Sequence, residues 1–152
     1  MKTAKEYWNE DSDDYFKTHE VNVKKLIADP SWAFPQPVMA MIGREFGDLK
    51  GKRVLVPSSG DNAAVYGFHL MGASVTSADI SEEQLSHAKR IAVAYEWDIP
   101  FICDDSIWFY RNAEAAQADG YRMFDWHCKS PRGWPGITRP ISTRWIKSSG
   151  KP

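Results

Sequence analysis

Residues 52–80 read KRVLVPSSGDNAAVYGFHLMGASVTSADI. The run Arg53–Val56 is short, aliphatic and β-branched, as a central parallel strand covered on both faces should be. Pro57 ends it, because proline cannot donate to a ladder. A turn of small polar residues around Gly60 follows. From about Asp61 to Met71 the spacing predicts a helix with Ala64, Val65, Phe68 and Leu70 facing inward. Gly72 suits the position just past a helix end. Ser74–Ala78 then reads as a second strand, and Asp79 stands at its carboxyl end. Two strands joined through a helix make one β-α-β unit, the device by which parallel strands are connected.

Downstream the alternation continues. Ser81 is a good N-cap, and Gln84 three residues on completes a capping box. The helix it opens, about Glu82–Tyr95, should bury Leu85, Ala88, Ile91, Ala92 and Tyr95. Ile99–Cys103 is a third strand, with Cys103 expected inside it as a small hydrophobe. Asp104, Asp105 and Ser106 follow. Strands alternating with helices over short connections imply an α/β fold with a doubly wound, Rossmann-like parallel sheet. After about Ile107 the pattern weakens to one short helix, 112–118, and one short strand, 121–126. Residues 127–152 hold six Lys or Arg, four Pro and no acid. Two readings stand there: a basic tail whose Arg and Trp residues touch phosphates, or a segment outside the folded domain, since so few aliphatic residues cannot bury a core. The second is favoured.

Upstream, residues 3–28 suggest a helix broken in its middle, with Tyr7, Trp8, Tyr15, Phe16, Val23, Leu26 and Ile27 on one face. The acids Glu10, Asp11, Asp13 and Asp14 read as a solvated face. Asp29-Pro30 ends this element. Residues 30–37 form a crossing loop, and Val38–Phe46 a further helix. The chain therefore divides into a helical cap (1–48), a Rossmann-like core (49–126) and an irregular basic tail (127–152). The sheet is expected to be incomplete, with three to four strands.

Composition narrows the function. The 152 residues are 43% hydrophobic and 26% charged, with a net charge of −1. That balance gives a core-forming domain no general attraction to nucleic acid or acidic membrane. Two cysteines, Cys103 and Cys128, make neither a disulfide framework nor a metal cluster. No apolar run approaches a signal peptide or a membrane span. A cytoplasmic protein without a metal is expected.

Chemistry concentrates at the carboxyl edge of the sheet. A strand-to-helix turn of small residues lets the polar end of a ligand approach the backbone, and Gly60 can adopt a positive φ there. Asp79, about 20 residues past that turn, is placed to accept both hydroxyls of a ribose. Capping the next helix is its alternative role. Asp105, after strand three, could accept from an adenine amino group, or be an exposed loop acid.

Three blocks together, VLVPSSGDNAAV (54–65), GASVTSADISEEQLSHAKRIA (72–92) and FICDDS (101–106), resemble the N-terminal part of class I S-adenosylmethionine-dependent methyltransferases of the small-molecule type. The segment EYWNEDSDDYFKTHE (6–20) resembles the helical cap of such enzymes. The likeness covers about residues 1–107. It departs from the family in the first block, where only Gly60 keeps a glycine of the usual Gly-x-Gly-x-Gly and Val56 replaces an acid. It departs again at the end: the chain stops before the seven strands that the family implies, whether by truncation, a changed reading frame or a natural short product.

The resemblance implies S-adenosylmethionine as cofactor, methyl transfer to a small molecule, and contacts from Tyr15, Ser58, Ser59, Gly60, Asp61, Asp79, Ile80, Asp105 and Ser106. Asp61 would meet the amino group of the cofactor. Catalysis would rest largely on positioning. If a base is needed His19 is the candidate, since histidine titrates near neutrality; His69 and His87 read as surface or packing residues. The alternative function is a truncated, non-catalytic binder of S-adenosylmethionine or S-adenosylhomocysteine. A dehydrogenase is disfavoured because the glycine fingerprint is too sparse for a pyrophosphate. An open sheet edge suggests a homodimer.

Overall fold

The computed structural model describes residues 1–18, 21–60 and 63–105, and the backbone of 121–123. Asp61, Ser106, His19, Cys128, the helix expected over 112–118, the end of the strand expected over 121–126 and the tail 127–152 lie outside the described residues. The elements run α1 (Ala4–Thr18), α2 (Val23–Ala28), a 3-10 turn (Pro30–Ala33), α3 (Gln36–Phe46), β1 (Arg53–Val56), α4 (Ala63–Leu70), β2 (Ser74–Asp79), α5 (Glu82–Ala94), β3 (Phe101–Cys103) and β4 (Tyr121–Met123).

All strand pairs are parallel, and their order is β3-β2-β1-β4. Val54 registers with Val75 on one side and with Arg122 on the other. The chain thus steps from β1 outward through β2 to β3, and β4 lies on the opposite flank of β1. This is an open, incomplete Rossmann-like α/β sheet, with the reversal of strand order at β1. In such sheets ligands bind outside the carboxyl ends of the strands beside that reversal.

The core is built as the β-α-β stretch requires. Val54, Val56, Val75 and Ala78 are buried in the strands, and Leu85, Ala88 and Ala92 in α5. Helix α4 differs from its expected amphipathic pattern: Ala64, Val65, Tyr66, Gly67 and Phe68 are all buried. One side of α4 faces β1 and β2, and the other is covered by α2 and the 3-10 turn. Gly67 makes that second contact possible, since a Cβ there would come within 2.5 Å of the Ala33 Cβ and 3.2 Å of the Pro30 carbonyl. Tyr66 ties the two sheet-covering helices together by donating its hydroxyl to the Ala88 carbonyl at 3.2 Å.

Several sequence expectations shift. The N-terminal helix has the break expected of it, with α1 ending at Thr18 and α2 opening at Val23 under an Asn22 cap. Its first turn carries a reciprocal box that the sequence reading passed over: Thr3 N–H donates to Glu6 Oε2 at 2.8 Å, and Glu6 N–H to Thr3 Oγ1 at 3.3 Å. The 30–37 loop contains one 3-10 turn, and α3 begins two residues early at Gln36. Cys103 is exposed rather than buried, because β3 is a three-residue strand at one end of the strand order. Tyr95 ends α5 at 39% exposure instead of packing inward, and Tyr7 and Ile27 are also exposed.

Candidate functional site

The β1–α4 turn carries two residues in left-handed conformations, Ser58 at φ 49° and Gly60 at φ 50°. The turn therefore takes a shape suited to two glycines although only one is present. An L-residue in this region costs about 1–2 kcal/mol. Ser58→Gly is accordingly expected to raise the free energy of unfolding by about 1 kcal/mol, after the larger backbone entropy of glycine is deducted. A chemical denaturation midpoint that falls would show that the Ser58 side chain contributes more than its backbone costs.

Ser59 is turned toward the sheet. Its hydroxyl shares a 2.7 Å hydrogen bond with the Ser77 hydroxyl and reaches the Ala78 carbonyl at 3.1 Å, while its N–H donates to the same carbonyl at 3.0 Å. Both serines are buried. Ser59 thus pins the turn to β2.

Asp79 closes the arrangement from the other strand. It is buried, and each carboxylate oxygen accepts a backbone hydrogen bond: Gly60 N–H to Oδ2 at 2.8 Å, and Ser81 N–H to Oδ1 at 2.9 Å. One side chain therefore ties the glycine turn to the start of α5. The capping role is realised through Ser81 N–H, and a carboxylate is also the acceptor type that ribose hydroxyls require.

The capping box at Ser81 forms only in part. Ser81 Oγ accepts from Gln84 N–H at 3.2 Å. The return bond, from Ser81 N–H to the Gln84 side chain, is replaced by the bond to Asp79. Gln84 is released and lies against Gly60, where its Oε1 would collide with any Cβ and its Cδ would stand 3.3 Å from one. Asp79 Oδ2 stands 3.9 Å from the same point. Gln84 is 5% exposed, and its Nε2 has no hydrogen-bond partner. Sequence reasoning assigned Gln84 to the cap and so missed it. The signal lay in the sequence: with Asp two residues before the N-cap, two acceptors compete for one N–H.

Ile80 is half-buried beside Asp79, and its carbonyl accepts from the Cys103 thiol at 3.6 Å. Asp104 N–H donates to the Asp79 carbonyl at 2.9 Å, and the exposed Asp105 follows it at the carboxyl end of β3. Ser58, Gly60, Asp79, Ile80 and Asp105 thus share the carboxyl edge of the sheet.

Helix α1 lies along α5. Asn9 accepts from the Ser81 hydroxyl at 2.7 Å and donates to Glu82 at 3.3 Å, and Lys5 pairs with Glu82. Further along, Asp13 pairs with His87 Nε2 at 2.9 Å and Phe16 stacks on the His87 ring with centroids 4.4 Å apart. The docking face is Lys5, Asn9, Ser12, Asp13 and Phe16, not the aromatic stripe read from the sequence. Within the acidic cluster, Asp13 serves as a partner for the buried His87. Tyr15 lies six residues beyond Asn9, about 9 Å further along the helix axis. Its ring meets Trp8 edge to face at 6.1 Å.

The Lys5 contact holds the Glu82 carboxyl down to about pKa 2, below its ordinary 4.5. The depressed value means that this tie is fully formed above about pH 4.5 and is lost as the pH falls through about 2. Carbon-13 NMR should therefore show Glu82 titrating near 2 in the wild type and moving back toward 4.5 in Lys5→Ala. Wild-type titration at the ordinary value would mean that α1 is not docked through this pair. Among the described residues, no three His, Cys, Asp or Glu side chains group closely enough to hold a metal ion, and no helix is long and apolar enough to cross a membrane.

No family model and no curated protein matches the chain. Solved structures do. The chain is similar to magnesium protoporphyrin IX methyltransferase from Synechocystis, solved with bound SAH, at 25% identity and a TM-score of 0.49 over 66% of this chain and 49% of that one. The same enzyme with bound SAM aligns at 25% identity and a TM-score of 0.47, over 66% of this chain and 52% of that one. An S-adenosylmethionine-dependent methyltransferase from Clostridium acetobutylicum aligns at 18% identity and a TM-score of 0.42, over 65% and 37%. The chain spans about half the length, or less, of these structures.

Proposed function

We propose that the protein binds S-adenosylmethionine at the carboxyl edge of its sheet and transfers the methyl group to a small molecule. The observation that supports this most is the joint made by Asp79, which couples the Gly60 turn after β1 to the start of α5 at the reversal of strand order. A nucleoside fits such a joint. The carboxylate is the acceptor type that ribose hydroxyls require, and Gln84 Nε2 is a buried donor still to be paired.

Asp79 would hold the ribose, Ile80 would pack against the base, and Ser58 and Gly60 would face the methionine end. Methyl donation is the chemistry that the bound sulfonium supplies. The contribution of this chain is to fix the cofactor against its acceptor, with α1 covering the β2 end through Asn9. The free, exposed thiol of Cys103 fits a reducing, cytoplasmic setting. The outer side of β3, with Ile102 at 40% exposure, is the edge on which a second copy would pair; a monomer by light scattering at high concentration would count against that pairing.

Calorimetry decides the ligand. S-adenosylhomocysteine should bind to a single site and NAD should give no heat; the reverse would overturn the reading. Turnover against a panel of small methyl acceptors then separates an enzyme from a protein that only holds the cofactor.

A further inference from the structure

Gln84 is the one buried side chain among the described residues left with a polar atom unpaired. A buried amide donor without a partner is destabilising, so its place here calls for a reason. Packing does not supply one, since leucine or methionine would fill the same volume without the penalty. Capping does not either, because the cap bond at this position uses the Gln84 backbone N–H, and Asp79 has taken the Ser81 N–H that the side chain would otherwise bind. What remains is the position. The Gln84 side chain, through its Oε1, and the Asp79 carboxylate flank the same face of Gly60, at the one residue of the turn where there is no side chain between them.

We propose that Gln84 is a ligand-binding residue of this site, its side-chain N–H donating to an acceptor atom on the nucleoside that Asp79 holds. The proposal rests on the nucleoside reading above. The pair is complementary: Asp79 only accepts, and Gln84 Nε2 only donates. A ribose, which offers hydroxyl donors together with ether and hydroxyl acceptors, matches both. The collision of Gln84 Oε1 with a Cβ at residue 60 also gives the surviving glycine a second purpose, since it admits the amide as well as the positive φ.

Gln84→Met tests this, because it keeps the length of the side chain and removes the donor. With S-adenosylhomocysteine in calorimetry, the variant should bind about 5- to 10-fold more weakly than the wild type, as expected for one lost hydrogen bond. Its denaturation midpoint without ligand should stay the same or rise, because an unpaired buried donor has been removed. A merely structural glutamine would give the opposite pattern, with a lower midpoint and unchanged affinity, and that result overturns the proposal.

The wild-type protein provides an independent readout. The Gln84 side-chain amide protons should shift downfield as S-adenosylhomocysteine saturates the site; unmoved resonances at saturation would also overturn it. If the wild type binds and Gln84→Met binds equally well, this assignment alone fails. If the wild type gives no heat, the nucleoside reading fails and Gln84 falls with it.

Discussion

Asp79→Ala is expected to cost the protein both its ligand and a large part of its stability. The carboxylate accepts two backbone hydrogen bonds in a buried setting, one from each of the segments it joins. Bonds to a charged acceptor contribute about 1.5–3 kcal/mol each. Losing two removes about 3–6 kcal/mol from a domain whose whole stability is about 5–15 kcal/mol. The Gly60 turn would then be free to leave the start of α5, so a ribose would lose both its direct acceptor and the shape of its cradle. Binding of S-adenosylhomocysteine should fall more than about 100-fold, the equivalent of two such bonds.

Because a poorly folded variant would also bind poorly, Asp79→Asn is the sharper probe. It keeps one acceptor oxygen for a backbone N–H and sets an NH2 group where the second oxygen stood. It should remain folded under calorimetry conditions and still lose most of its affinity. If it folds and binds like the wild type, the carboxylate serves the joint alone, and the ligand is held elsewhere.

The parts of this site that could be read from the sequence are those governed by short-range rules. Arg53–Val56, Gly72 and Ser74–Ala78 follow local preferences for strands and helix ends, and these positions appear in the structure as expected, with Asp79 added to the end of β2. The parts that could not be read depend on competition or on covering layers. The sequence shows that Asp79 and Gln84 compete for the Ser81 N–H, but no local preference says that Asp79 wins and leaves Gln84 to face Gly60. The docking face of α1 escaped a search for apolar periodicity because it is largely polar, made of Lys5, Asn9, Ser12 and Asp13 around one aromatic contact. Cys103 was expected inside because its neighbours are apolar, but apolarity does not distinguish a central strand from an edge one.

Phe68→Ala is expected to have the second large effect, and it tests whether the cap and the core are one unit. Phe68 is fully buried on α4, between the sheet and the cap. Its ring meets Phe34, just after the 3-10 turn, at 4.8 Å, and Phe46, at the end of α3, edge to face at 6.4 Å. Truncating a buried phenylalanine to alanine costs about 3–5 kcal/mol. Here the cavity would open at the seam between the layers, where Gly67 already brings α4 against Ala33 with no room to spare. The seam cannot close inward, because β1 and β2 are on the other side of α4. A loss near the upper end of the range follows, measured as the shift in denaturation midpoint, and Phe68→Leu should recover more than half of it. The consequence reaches the ligand. The 3-10 turn and α2 are packed on α4 and α1 on α5, so the cap that covers the β2 end rests on the same helices that frame the Gly60 turn. Loosening the seam should weaken S-adenosylhomocysteine binding although Phe68 is no part of the site. A loss below about 1 kcal/mol, well short of the usual cost of such a truncation, would instead mean that cap and core are stable separately and that the cap is free to open without disturbing the sheet.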